Sequence, residues 1–217
     1  MKFLFSTIGQ KIQIAISGFF LSVFLLFHLF NNLVLFTGAN NFNNMVAFLK
    51  SIHIIIRIME FGLLAIVLLH VINAVITSYK NRNANNGKYA VSSNTAPLNS
   101  KTMIWSGLAI LFFFIIHLRY YWFTFQTLSE NASLTYFDYM LLDKFGFLGH
   151  TPTAIFYIIA ILLIAAHLKH GFLSLFKTFG IKEYYRNKLR YIAFLFWGII
   201  PAGFIIIIIA IQIGIIK

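Results

Sequence analysis

Residues 153–178 read TAIFYIIAILLIAAHLKHGFLSLFKT, an apolar run that contains His167, Lys169 and His170. A helix needs about 20 apolar residues to cross the hydrocarbon core of a bilayer, and this run is longer than that. Ionisable side chains inside such a run are costly and usually serve a function. The stretch therefore predicts a membrane-spanning helix that carries a histidine site.

The composition of the whole chain indicates the same environment. Of its 217 residues, 60% are hydrophobic and 10% are charged, and the mean hydropathy is +0.84. A soluble domain carries about a quarter charged residues. We therefore predict an integral membrane protein. The absence of cysteine excludes disulfides and iron–sulfur ligation by this chain.

Five runs are long enough to span a bilayer, at about residues 12–36, 52–79, 103–126, 153–178 and 191–216. They predict an all-α fold and a single transmembrane domain over residues 1–217. The first four form a bundle, and the fifth, which has no ionisable residue, is expected to be a peripheral, lipid-facing support kinked at Pro201. Lys2 and the missing cleavage site predict a retained first span rather than a signal peptide.

The net charge of +12 arises from Lys and Arg in the short segments between the runs. This pattern indicates membrane topology rather than a nucleic-acid groove. Eleven basic residues fall on the side that carries the N-terminus and five on the other side. The excess predicts a cytoplasmic N-terminus and an external C-terminus.

Two connections have patterns of their own. Asn41–Lys50 has apolar residues at helical spacing, which predicts a short helix on the outer surface. Asn81–Ser100 is polar and rich in Asn and Ser, which fits either an ordered contact loop for a partner or a flexible connection.

His28, His70, His117 and His167 each fall in a different one of four consecutive spans. A single buried histidine could be a neutral side chain bonded to a neighbouring helix, but four in this arrangement favour a shared function. With a rise of about 1.5 Å per residue, His28 and His117 lie roughly 6 and 4 Å to the outside of their span midpoints. His70 and His167 lie roughly 6–7 and 2 Å to the cytoplasmic side. Depth thus pairs His28 with His117 and His70 with His167.

Two histidines at one depth can supply both axial ligands of a haem, and such ligation leaves no open iron position, so the chemistry is electron transfer. Two depth levels argue against one metal ion held by four histidines. A proton relay would more usually include carboxylates, and only Glu60 lies within a span. Glycines near the histidines, such as Gly18 and Gly107, would give a macrocycle room. The uneven histidine spacings and the unmatched fifth span show no internal repeat of the transporter kind.

Several short motifs occur in a specific order along the whole chain: Ser6-Thr-Ile-Gly9-Gln-Lys11, His28-Leu-Phe-Asn-Asn32-Leu33, Tyr89-Ala-Val-Ser-Ser93 and His167-Leu-Lys-His170-Gly171. With five spans and four helix-borne histidines, the chain resembles the dihaem cytochrome b anchor subunit of succinate dehydrogenase and fumarate reductase. More narrowly, it looks like the single-anchor type from bacteria of the Bacteroides and Flavobacterium kind.

The resemblance implies two haem b groups, with His28 and His117 as ligands of the outer (distal) iron and His70 and His167 as ligands of the inner (proximal) iron. The first histidine of the His-x-x-His-Gly motif is the ligand in that family, which selects His167 over His170. A glutamate that carries protons in some relatives is replaced by Ala165, so the resemblance does not extend to that pathway.

The resemblance also implies partners: a flavoprotein and an iron–sulfur subunit on the cytoplasmic face of a bacterial inner membrane, in a respiratory complex II that reacts with menaquinone. A dimer of heterotrimers is compatible with it. We expect Glu60 either to handle protons beside the quinone or to form an ion pair with Arg57. Lys177 is a candidate for a haem propionate, and His170 for a propionate, a second quinone pocket or a partner surface.

Two other functions stay open at this point. One is the cytochrome b anchor of another quinone-linked complex such as a hydrogenase. The other is a small transporter that uses histidines for protons or metal. The direction of catalysis, succinate oxidation or fumarate reduction, has no signature in the sequence.

Overall fold

The computed structural model describes residues 3–84, 98–128 and 133–217. Within these ranges the chain forms helices and no strand. Five helical segments are long and apolar enough to cross a membrane: Thr7–Thr37, His53–Asn81, Met103–Thr127, Thr151–Thr178 and Glu183–Gln212. The predicted all-α, five-span fold is confirmed. The fifth span begins earlier than expected because a charged helical section runs directly into it.

The helices are bounded as follows: α1 Thr7–Leu33, followed by a 3-10 turn Val34–Thr37; α2 Ala39–Ser51; α3 His53–Ala84; α4 Leu98–His117, continued by a π-helical turn Leu118–Trp122 into α5 Phe123–Thr127; α6 Tyr136–Leu141; α7 Thr151–Thr178; and α8 Glu183–Phe194, continued by a π-helical turn Leu195–Ile199 into α9 Ile200–Gln212.

Local signals explain where the long helices start and stop. Ser6 caps α1 by accepting a hydrogen bond from the Gly9 amide at 3.1 Å. Pro152 lies in the first turn of α7, where its missing N–H is not needed. Gly180, with φ +65°, ends α7 in the left-handed conformation that glycine adopts without strain.

Four helices form a closed ring in the cyclic order α1, α3, α4, α7, with each one packed against two neighbours. In this ring α1 faces α4, and α3 faces α7, across the two diagonals. A side chain that points to the centre of the ring can therefore meet one from the helix on the opposite side of the same diagonal. The large apolar side chains on the outside of the ring, such as Phe27, Ile58 and Phe61, are mostly exposed, as lipid contact requires.

The fifth span lies outside the ring, in the groove between α1 and α7. One face of α9 is buried there, at Ile200, Ile207, Ile208, Ala210 and Ile211. The fifth span is thus peripheral to the ring, as expected, with this face packed on protein and with Ile199, Ile206 and Ile209 exposed on its other side. The interruption expected at Pro201 takes the form of the π-helical turn just before it.

The predicted helix in the first connection is confirmed as α2, but its apolar face packs on protein. Phe42 and Val46 are buried, and the Phe42 ring lies 6.1 Å from that of Phe137 on α6. Asn43 accepts a hydrogen bond from the Phe137 amide at 3.1 Å. Most of the other connection, Asn81–Ser100, lies outside the described residues, as does the motif at 89–93.

Candidate functional site

His28 on α1 and His117 at the end of α4 face each other across one diagonal of the ring. Their ring centroids are 5.7 Å apart and their planes are nearly perpendicular, at 87°. Aromatic rings surround the pair: Phe24 stacks on His28 at 5.5 Å, and Phe113 stacks on His117 at 5.8 Å. Phe204 of α9 approaches His28 at 5.5 Å. The fifth span thus contributes directly to the surroundings of this pair.

His70 on α3 and His167 on α7 face each other across the other diagonal. Their centroids are 6.4 Å apart, with an interplanar angle of 63°. The structure therefore brings together the same two pairs that depth along the helices predicts. That these pairs bind haem iron stays a prediction.

Ser17 and Ser106 orient the two rings of the inner pair. Ser17 Oγ lies 3.0 Å from His70 Nδ1, and Ser106 Oγ lies 3.2 Å from His167 Nδ1. Each hydroxyl also donates to a carbonyl of its own helix, Ser17 to Gln13 at 2.7 Å and Ser106 to Met103 at 2.9 Å. A hydroxyl has a single proton, so a serine that donates it to the carbonyl accepts from Nδ1–H of the histidine. This tautomer leaves the lone pair on Nε2, which is the atom a metal ion would use.

The glycine after each serine lies close to the same histidine. A Cβ atom on Gly18 would lie 3.1 Å from His70 Cε1, and one on Gly107 would lie 3.5 Å from His167 Cε1. The first distance is tighter than ordinary van der Waals contact. Gly18 is therefore needed to make room for the His70 ring, whereas a Cβ on Gly107 would lie at ordinary contact distance from the His167 ring.

The two dipeptides belong to a repeat that the histidine spacings alone do not reveal. Ser17-Gly18 precedes His28, and Ser106-Gly107 precedes His117, with nine intervening residues in both helices. In each case the dipeptide contacts the histidine of the following span, not the one on its own helix. The four histidine helices thus share a short sequence repeat with the same contact pattern, and the fifth span has no counterpart; the expected absence of a repeat of the transporter kind stays a prediction.

Tyr157 on α7 was not predicted as a site residue. Its hydroxyl lies 3.4 Å from His117 Nδ1, and its ring is 6.0 Å from that of His117. A tyrosine in an apolar run is a weak signal by itself, because aromatic residues are common throughout these spans. Tyr157 becomes a candidate site residue only because the packing of α7 against α4 brings its hydroxyl close to His117.

A polar ladder joins α1 and α3 on the side of the inner pair. Lys80 donates to Gln10 at 3.0 Å, Asn73 donates to Gln13 at 3.1 Å, and the Ser17–His70 contact is the last step. Thr77 lies on this part of α3, and its buried hydroxyl has no hydrogen-bond partner among the described residues. Buried hydroxyls are normally bonded, so a further polar partner for Thr77 is expected here.

These observations fit a haem at each pair. Two imidazoles on opposite sides of one metal ion have centroids roughly 6 Å apart, given a metal–nitrogen bond of about 2 Å. The observed separations, 5.7 and 6.4 Å, agree with this value. Among the described residues no three His, Cys, Asp or Glu side chains come together as a metal cluster, so the four histidines form two pairs and not one site.

Glu60 is held by three side chains near the other end of the bundle. It accepts hydrogen bonds from Arg57 Nη1 at 2.6 Å, Trp122 Nε1 at 2.9 Å and Gln126 Nε2 at 3.4 Å. Arg57 also bonds Gln126. The ion pair with Arg57, one of the two expectations, is thus present. The proton-handling role stays a prediction, and the two are compatible because Trp122 and Gln126 also bond the carboxylate.

His170 and Lys177 line two cavities along α7. His170 and Lys169 lie beside Ser106 in a mainly apolar cavity of about 560 Å³ between α4 and α7. Lys177 lies with Arg186 and Arg190 in a second cavity of about 320 Å³ between α7 and α8. Lys177 is ten residues beyond His167, roughly 15 Å along the helix. Contacts of either residue with a haem propionate stay predictions.

The fold and these side chains define an all-α, multi-pass membrane protein with two facing, half-buried histidine pairs. No family model matches the chain, and neither a curated protein nor a solved structure matches it.

Proposed function

We propose that the chain is the cytochrome b membrane anchor of a succinate:quinone oxidoreductase, a succinate dehydrogenase or fumarate reductase. The observation that carries this proposal is the pair of facing imidazoles on each diagonal of the bundle, with centroids 5.7 and 6.4 Å apart. The sequence motifs around His28 and His167 support the choice of family.

In this proposal His28 and His117 hold the outer haem b, and His70 and His167 hold the inner one. A haem held by each histidine pair would supply one-electron transfer. Ser17 and Ser106 keep the inner rings in the tautomer that ligates through Nε2. Phe24, Phe113 and Phe204 keep water away from the outer pair.

The quinone end of the proposal rests on Glu60. Quinone chemistry moves protons together with electrons, so a group that can take up and release a proton is expected beside the quinone. Glu60 is held by Arg57, Trp122 and Gln126, which fix its position, and its side chain stays partly exposed. Menaquinone is the substrate that the family resemblance favours.

The location and the partners follow from charge and from the family. The excess of Lys and Arg on the N-terminal side supports a cytoplasmic N-terminus and a periplasmic C-terminus in a bacterial inner membrane. A flavoprotein with the dicarboxylate site and an iron–sulfur subunit would dock on the cytoplasmic face. This chain has no cysteine and takes no part in the dicarboxylate chemistry itself.

Purification of the complex from its native membrane tests the proposal. The expected result is a reduced b-type spectrum with two haems per chain and a co-purifying flavoprotein that holds its flavin covalently. Haem without that flavoprotein would favour an anchor of another quinone-linked complex such as a hydrogenase. A preparation without haem would favour the transporter alternative.

A further inference from the structure

The cavity between the end of α7 and the start of α8 combines cationic and apolar walls. Its volume is about 320 Å³. The residues that line it are Leu173, Phe176, Lys177, Glu183, Arg186 and Arg190. On α8 the three charged members are spaced i, i+3 and i+7, so they share one helix face, which is turned towards α7.

The basic side chains are not needed to cap α7. Its last carbonyls already accept from backbone amides, since Phe179 N donates to Leu175 O at 3.1 Å and Ile181 N donates to Phe176 O at 3.0 Å. Gly180 N donates to Lys177 O at 3.1 Å. The carbonyls at the C-terminus of α7 therefore do not use the side chains of Lys177, Arg186 and Arg190, which stay available to bind a ligand.

The charges within the cavity do not cancel. Glu183 lies 3.7 Å from Arg186 and offsets one of the three cations. Within the part of the chain that the structure describes, the side chains of Lys177 and Arg190 form no ion pair or hydrogen bond. An anion is thus the complementary ligand for this wall.

The position of the cavity indicates that its ligand is an amphipathic anion. It lies where span four ends and span five begins, on the side that carries the N-terminus. Tyr184, Tyr185 and Tyr191 on the same section are exposed, which is typical of helices at the headgroup level of a bilayer. Leu173 and Phe176 give the cavity an apolar floor that a small inorganic ion would not need.

A path for acyl chains continues from this floor. Leu173 also lines the cavity of about 560 Å³ that runs beside α4. Residues Leu163, Ala166, His170, Leu173 and Lys177 recur every three or four positions on α7, so they form one continuous stripe from the apolar groove to the basic cavity.

We propose that this cavity binds the phosphate of an anionic phospholipid, with its acyl chains along the α7 stripe towards α4. Lys177, Arg186 and Arg190 contact the phosphate, and Leu173 lies under the glycerol backbone. The proposal is independent of haem binding and assigns Lys177 an anion other than a propionate.

Native mass spectrometry of the full chain in a neutral detergent tests it, with dioleoylphosphatidylglycerol and dioleoylphosphatidylcholine as probes. One phosphatidylglycerol per chain should be retained in preference to phosphatidylcholine. The double variant Arg186→Gln/Arg190→Gln should weaken retention roughly tenfold or more, given the contribution of each basic residue at a membrane surface. Glu183→Gln should strengthen it, because it removes the opposing carboxylate.

The matched control is Lys182→Gln/Lys188→Gln. It removes two charges from the same end of span five, and Lys188 points over the Tyr184 ring instead of lining the cavity. This control should keep its phosphatidylglycerol. Equal loss in the two double variants would mean diffuse attraction and overturn the proposal. Equal retention of phosphatidylcholine, or displacement by millimolar inorganic phosphate, would overturn it as well, the latter by showing a site for free phosphate.

Discussion

Ser17 on α1 and His70 on α3 are joined by a 3.0 Å contact between Oγ and Nδ1, and Ser106 on α4 holds His167 on α7 in the same way. The serine that orients each inner histidine thus comes from the preceding span. When each serine proton is given to a backbone carbonyl, both inner rings are protonated at Nδ1 and keep a free lone pair on Nε2.

Replacing Ser17 or Ser106 with alanine should loosen the inner pair. Loss of a group that orients a metal-ligating histidine typically costs about tenfold or more in cofactor affinity. We expect weaker retention of the inner haem and a shift of its redox potential, with the outer haem unchanged, in a spectroscopic redox titration.

Ser22→Ala is the matched control for Ser17→Ala. Ser22 is also a fully buried serine of α1, but it donates only to the Gly18 carbonyl of its own helix, at 2.8 Å. Its removal should leave both haems unaltered. Equal effects of the two substitutions would assign Ser17 a packing role only.

Gly18→Ala should disturb the inner pair more than Gly107→Ala. The added Cβ would lie 3.1 Å from His70 Cε1 in the first case and 3.5 Å from His167 Cε1 in the second. Overpacking of this kind costs about 1–3 kcal/mol, and a displaced ring should also lower haem content. Thermal unfolding and haem content per chain measure the two effects.

Gly62→Ala serves as the reference, because its Cβ would meet nothing within 4 Å. Alanine favours a helix over glycine by about 1 kcal/mol, so this variant should unfold at the same or a higher temperature. A loss of haem in Gly62→Ala as large as in Gly18→Ala would contradict the account.

His167→Ala should remove one of two haems, whereas His170→Ala should keep both. The His167 ring faces His70 at 6.4 Å, while His170 lines the cavity on the α4 side of α7. Haem per chain from the reduced spectrum distinguishes the two variants. The opposite pattern would make His170 the ligand.

Glu60→Gln should abolish quinone turnover in the intact complex while both haems remain. Glutamine can still accept from Trp122 and Gln126, but it cannot take up a proton. Turnover with a soluble quinol analogue and the haem spectrum are measured on the same sample. Unchanged turnover would rule out the proton-handling role.

Arg57→Gln tests whether Glu60 acts through its own carboxylate or through its ion pair with Arg57. It removes the 2.6 Å ion pair but leaves the carboxylate in place. We expect partial turnover, because Glu60 keeps two other partners. Identical losses in Arg57→Gln and Glu60→Gln would indicate that Glu60 acts through the ion pair.

Some of this arrangement could be predicted from the sequence because helix geometry fixes depth. The rise per residue is constant, so His28 and His117 fall at one level and His70 and His167 at another before any packing is known. The i−3 spacing likewise places Arg57 beside Glu60.

Other contacts depend on how each helix is rotated about its axis, which an apolar run does not specify. Nothing in the sequence indicates that Ser17 contacts His70 rather than His28, which lies on the same helix as Ser17. Trp122 and Gln126 reach Glu60 only because α3 and the α4–α5 helix are neighbours.

The remaining contacts could not be predicted because they lie on uniformly apolar helix faces. The isoleucine-rich α9 has a single polar residue, Gln212 at its last position, so nothing along the rest of the helix marks which face is buried, and the contact between Phe204 and His28 could not be foreseen. An apolar helix face that lies on lipid and one that lies on protein have the same pattern, and for that reason the packing of α2 on α6 was also missed.

The haem-to-chain ratio, combined with the electron paramagnetic resonance spectrum of the oxidised protein, tests the central claim most directly. Two facing imidazole pairs predict two haems per chain, both low-spin because both axial positions of each iron are filled by histidine. A chain purified without haem, or with a single high-spin haem, would contradict the account.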